Sequence, residues 1–229
     1  MAFMAELLSA MLLFIATHAL PTLGSLRARL IGWLGRGVYL GLYSLLSIAT
    51  LAWLALAFHR APYMEIWPFA EWTRWVPLMF MLPACVLIVG GLALPNPFSL
   101  SLRGDAFDPE RPGLLAVTRH PVPWGLALWA GAHIPPNGDA AAMLLFALLS
   151  ALSLYGLSAL DRRRRAALGD NVWIRLSLGT SNLPLAALLA RRARLSRPAD
   201  WGIALGGGGA LYLALLFGHE YAIGVSPLP

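Results

Sequence analysis

The chain has 229 residues, 59% of them hydrophobic and only 12% charged, against roughly 25% charged in an ordinary soluble domain. That much apolar surface excludes a soluble fold and points to a single membrane-embedded, all-α unit over residues 1–229. All 17 basic residues are arginine and they cluster between apolar runs, so the net charge of +6 marks membrane-facing loops rather than a nucleic-acid surface.

A helix needs about 20 mostly apolar residues to cross a hydrocarbon core ~30 Å thick. The first such segment is Phe3 to Leu20. Met1 to Glu6 carries an acid where a secretion signal would carry basic residues, and no small-x-small cleavage site follows, so the segment is expected to stay as a span. Next come Gly37 to Phe58 and Trp75 to Leu94. The latter contains Pro77 and Pro83, which predict a kink, and its lone cysteine, Cys85, reads as a packing residue. Between these two, Trp67, Trp72 and Trp75 suit an interfacial aromatic belt. A short fourth span, Pro121 to Ile134, opens on Pro121 and Pro123, which suit the first turn of a helix. Ala140 to Leu160 and Trp201 to Gly218 complete a polytopic transmembrane bundle of about six spans. Leu176 to Ala190, broken by Gly179, Asn182 and Pro184, is expected to be interfacial or re-entrant. Gly206 to Gly209 should allow close helix approach.

Alternate loops hold fifteen arginines and two. Arg27, Arg29, Arg36, Arg103, Arg111, Arg119, Arg162 to Arg165, Arg175, Arg191, Arg192, Arg194 and Arg197 fall on one side, and Arg60 and Arg74 on the other. The positive-inside rule then puts both termini outside and the arginine-rich loops in the cytoplasm, with the protein in an inner membrane.

Five histidines, His18, His59, His120, His133 and His219, lie inside or at the ends of these spans. Polar side chains there are costly and tend to mark function, and neutral imidazole is the common ligand for iron. A helical bundle without thiolate ligands suits haem b, whose faces need apolar walls and whose iron needs one or two axial nitrogens. On side alone, His18 would pair with His120 within, or His133 with His59 or His219 without. Thr118-Arg119-His120-Pro121 places Arg119 and His120 at the mouth of the fourth span, and Asp161, before four arginines, reads as half of an ion cluster.

His18 with Leu23 to Arg29, His59-Arg60, Gly113 through Thr118-Arg119-His120-Pro121, Trp124-Gly125, Leu128-Trp129, Ala132-His133, Asn137-Gly138-Asp139 and His219 to Pro227 resemble the NnrU family across nearly the whole chain. That resemblance implies a link to bacterial denitrification, in nitrite and nitric oxide metabolism, and a bacterial inner membrane. The family is similar to 15-cis-zeta-carotene isomerase, a membrane enzyme with haem b. The likeness implies axial iron ligation by His18 and His133, with Ala130 where the isomerase has a cysteine. It further implies either a haem-dependent isomerase acting on a lipophilic polyene or a redox accessory protein handling nitric oxide. Arg119-His120-Pro121 followed by Asp161 to Arg165, Gly169-Asp170 and Pro184 is more distantly similar to isoprenylcysteine methyltransferases, which implies S-adenosylmethionine bound near Arg119, His120 and Asp161. A third reading is a non-enzymatic membrane assembly or regulatory factor, with lipid as its partner in every case.

Overall fold

The computed structural model of the chain describes residues 2–19, 25–103 and 107–229. Leu20, which ends the first expected span, and Leu23, which opens the Leu23 to Arg29 block, lie outside them. Among the described residues the regular elements are helices, apart from one isolated bridge: α1 (Ala2–Ala19), α2 (Leu26–Leu34), α3 (Arg36–Arg60), α4 (Trp75–Ala93), α5 (Pro121–His133), α6 (Ala140–Leu168), α7 (Asp170–Ser177), α8 (Ala186–Leu189) and α9 (Pro198–Ile223). Among them, four helical segments are long and apolar enough to cross a membrane: Arg36–Arg60, Glu71–Ala93, Ala140–Leu168 and Pro198–Ile223. The chain is built as a membrane protein, and its many exposed leucines, Trp72 and Trp75 among them as aromatics, are the surface such a protein offers to lipid.

Two compact units divide the chain. The first runs to Pro68 and takes in Asn137–Leu148. Here α1 packs on α3 through Leu7, Ala10, Met11 and Phe14, one helical stripe at 3.6-residue spacing. Glu6 ties the pair further, accepting from Trp53 Nε1 and Arg60 Nη1, each at 3.4 Å. The Asn137-Gly138-Asp139 segment has a local structural role. The carbonyl of Gly138 accepts from the amides of Ile66 and Trp67, a Cβ at Gly138 would run into the carbonyl of Trp67, and Asp139 Oδ1 accepts from the Ala142 amide at 3.1 Å, capping α6.

The second unit comprises Phe69–Pro136 and Leu149–Pro229. Its centre is α4, flanked by α5 and α9. Leu87, Leu94, Leu114 and Ala204 form its core, with Trp124, Leu128 and Trp201 packed around them. Pro83 lies inside α4 without interrupting it, and Cys85 is buried there. Small residues let the backbones meet. A Cβ on Gly125 would sit 2.8 Å from the Ala84 carbonyl oxygen, and one on Gly208 would sit 2.5 Å from Val86 Cα.

Half of the glycine tetrad in α9 is used this way, because Gly206 and Gly209 have nothing within 4 Å of a built Cβ. Gly208→Leu should therefore push α9 off α4 and cost about 1–3 kcal/mol. Gly206→Leu, which meets open space and gains helix propensity, should be neutral or slightly stabilising. Thermal unfolding of the two variants in mild detergent checks this. Equal melting temperatures would remove the α4–α9 contact as a source of stability.

Candidate functional site

Three irregular segments of the second unit converge on one polar cluster. After α4 the chain reads Pro95-Asn96-Pro97. Pro97 has no N–H to offer, so Asn96 Oδ1 accepts from Phe98 and Ser99 at 2.8 and 3.1 Å, an Asx turn, while its Nδ2 donates to the Arg119 carbonyl at 3.1 Å. The segment after α7 supplies the second wall. Ser181 O accepts from the Arg119 amide at 2.7 Å, and Asn182 O accepts from Thr118 Oγ1 at 3.1 Å and Trp124 Nε1 at 2.8 Å. The third segment is Val117 to His120 itself. Pro121 keeps His120 out of the helical region, at φ −122° and ψ 66°, and this releases its ring from the helix it precedes.

These walls hold Arg119, His120 and Asp161 together. Arg119 Nη1 donates to Asp161 Oδ2 at 2.8 Å, and His120 Nε2 meets Asp161 Oδ1 at 2.7 Å. Arg119 Nε also donates to Thr180 Oγ1 at 3.0 Å, and its guanidinium lies 4.9 Å from the Trp173 ring centroid and 5.3 Å from that of Phe98. A cation over two rings that meet nearly at right angles, with its in-plane N–H groups on a carboxylate and a hydroxyl, is fixed in both position and orientation. His120 is fully buried, while the Asp161 side chain keeps 22% exposure. Three buried side-chain atoms in these walls have no hydrogen-bond partner: Ser99 Oγ, His120 Nδ1 and Asn182 Oδ1.

The other histidines are held differently. His18 Nδ1 lies 2.8 Å from the Phe14 carbonyl oxygen, His133 Nδ1 lies 2.7 Å from that of Trp129, and His219 Nδ1 lies 2.7 Å from that of Val225. A carbonyl can only accept, so each Nδ1 carries the proton and each Nε2 carries the lone pair. His18 stacks on Phe14 with centroids 4.1 Å apart and meets Tyr43 edge-on at 6.2 Å, and His133 leans on Trp129 at 5.8 Å. His59 is exposed in the last turn of α3. By unit, His18 and His59 belong to the first, and His120, His133 and His219 to the second.

A family model described as NnrU protein matches residues 6–227. The chain belongs to the NnrU family. No curated protein and no solved structure matches it. The NnrU match spans both units and takes in all five histidines and the Arg119–His120–Asp161 cluster. The sequence places Arg119 and His120 at one mouth through Pro121 and Pro123, and the likeness to methyltransferases adds Asp161 to them. The sequence has no signal for Asn96, Phe98, Trp173 or Thr180, which build the walls around them. None of these four is unusual for its local pattern: Asn96 and Phe98 lie in the turn after α4, and Trp173 and Thr180 lie in α7 and just beyond it.

Proposed function

We propose that this NnrU protein is a six-span membrane protein that would hold haem b through its histidines, with His18 and His133 as the first candidates and His18 lying deeper than the inner end of its span. Both termini lie outside and the arginine-rich loops face the cytoplasm of a bacterial inner membrane. The observation that carries the reading is the tautomer of the two histidines. Each is tied through Nδ1–H to the carbonyl one helical turn back in its own helix, which leaves the lone pair on Nε2, the nitrogen best placed to reach a haem iron without its ring atoms colliding with the porphyrin. Phe14 and Tyr43 beside His18, and Trp129 beside His133, supply the apolar, π-rich walls that porphyrin faces favour. Nε2 lone pairs beside aromatic rings are what support haem as the ligand.

His120 suits the iron less well. Its Nε2 is engaged by Asp161, and the remaining Nδ1 is hindered and fully buried. For the same reason S-adenosylmethionine is the weaker reading, since Arg119, His120 and Asp161 are already bonded to one another rather than turned outward to a nucleoside. Bound haem would supply an iron able to pass single electrons or to bind nitric oxide, which accords with a role in nitrogen-oxide metabolism or in isomerising a lipophilic polyene. Ala130, fully buried one turn before His133, stands where the isomerase has a cysteine, so that thiol is not offered here.

Purification in mild detergent from cells supplied with haem precursor should give a coloured protein with a Soret band. A colourless protein that stays so after haem titration would reject the reading.

A further inference from the structure

We propose that His120 and Asp161 form a proton-transfer pair joining a buried acceptor, His120 Nδ1, to the surface beside the arginine-rich face. This site is independent of the haem reading and shares no residue with the axial pair.

The argument starts from what each ring atom can do. Asp161 takes two hydrogen bonds, one from Arg119 on Oδ2 and one from His120 on Oδ1. An ionised carboxylate only accepts, so the proton in the His120 contact sits on Nε2 and the lone pair sits on Nδ1. That lone pair is buried and unpartnered. Leaving a buried acceptor unpaired is costly, and a histidine kept only to clasp a carboxylate has no use for a second nitrogen. An asparagine or glutamine could make the same clasp with its amide N–H. What imidazole adds is the capacity to take a proton at one nitrogen and release one from the other.

The charges around the ring suit that task. Arg119 and Asp161 neutralise each other, so neutral His120 leaves the cluster without net charge. A proton arriving at Nδ1 makes an imidazolium already in contact with the carboxylate, and no side chain need move. From α6, Arg164 turns aside to donate to the Ser99 carbonyl. From α7, Asp170 is paired with Arg165. The Pro95 to Leu102 and Leu178 to Leu185 segments carry no ionisable side chain. Asp161 is thus the one acidic group that meets the ring among the described residues.

In one transfer an acidic donor that reaches the interior gives a proton to Nδ1 and keeps the electron pair as its conjugate base. His120 then releases its Nε2 proton to Asp161 Oδ1, and the 22%-exposed carboxyl passes it to solvent. One proton enters and one leaves, and no electron moves. A proton resting on Asp161 would forfeit the ion pair with Arg119, so Asp161 is a point of transit and not of storage. Run backwards, the same steps deliver a proton inward.

The test is nitrogen NMR of the full-length protein, isotopically labelled at histidine, in detergent and without added haem, so that it stands whatever the haem spectrum gives. His120→Gln keeps an N–H donor towards Asp161 and identifies the His120 signals by their loss. At neutral pH His120 should have a protonated Nε2 and a lone pair on Nδ1, opposite to His18, His133 and His219. On acidification Nδ1 should take up a proton while the carboxylate band of Asp161, followed by infrared difference spectroscopy, shifts with it. In Asp161→Asn, where no carboxylate fixes the tautomer, both forms should appear. A proton on Nδ1 at neutral pH, or a His120 signal that never responds to pH, would overturn the proposal. So would a carboxylate band that stays still while His120 titrates.

Discussion

Replacing Asp161 with alanine is expected to be among the most destabilising single substitutions in the second unit. It strands two donors at once: the Arg119 guanidinium, held between Phe98 and Trp173, and the fully buried His120 ring. Breaking a buried charge pair by removing one partner costs about 3–5 kcal/mol, and the partial exposure of Asp161 favours the lower end, about 3 kcal/mol. Asp161→Asn still offers His120 an acceptor but gives up the charge, and should lose about half as much. Thr180→Val, which removes one neutral hydroxyl from Arg119 Nε, should cost about 1 kcal/mol. Thermal unfolding in detergent would rank the three variants. Limited proteolysis would locate the damage, because Arg119 and Thr118 anchor the Leu178 to Leu185 segment by backbone and side chain together. If Asp161→Ala melts with the native protein, the cluster is solvated and the picture of a closed clasp fails.

That ordering could not have been foreseen from the sequence, and the reason is physical. Hydropathy and helix period are local signals, and they served well for local features. The segment expected at Trp75 to Leu94 is the helix Trp75–Ala93, that at Pro121 to Ile134 is Pro121–His133, and that at Gly37 to Phe58 is Arg36–Arg60. They failed where polarity and helicity part company. Ala140 to Leu160 was bounded by the arginines, yet α6 runs through Arg162 to Arg165 to Leu168, because arginine is a good helix former and only Gly169, at φ +78°, ends the hydrogen-bond ladder. For the same reason α2, Leu26–Leu34, was read as part of a polar loop. The cluster itself joins residues 41 and 42 positions apart, a separation with no periodic signature. Arg119-His120-Pro121 stood out as a string of costly residue types, but its use depends on Asn96 and Thr180, which look ordinary. The histidine tautomers were likewise invisible, because they depend on which carbonyl lies one turn back and whether the ring folds towards it.

Those tautomers lead to the other large expected effect. In the haem-loaded protein, His133→Ala should abolish the Soret band or convert it to a high-spin form, and His18→Ala should do the same, since each removes an Nε2 lone pair that nothing at the site replaces. His120→Gln should leave the spectrum unchanged, because its ring is committed to Asp161. The discriminating variant is His219→Ala. His219 has the same tautomer as His133 and belongs to the same unit, so it is the natural rival to His18 as the second ligand. With His18 as the ligand, His219→Ala keeps its spectrum and His18→Ala loses it. If instead His219→Ala bleaches the protein while His18→Ala stays coloured, the iron is held within the second unit alone. Added imidazole separates lost ligation from lost folding. A variant missing only its ligand should recover a low-spin spectrum when imidazole fills the position, and a misfolded one should not.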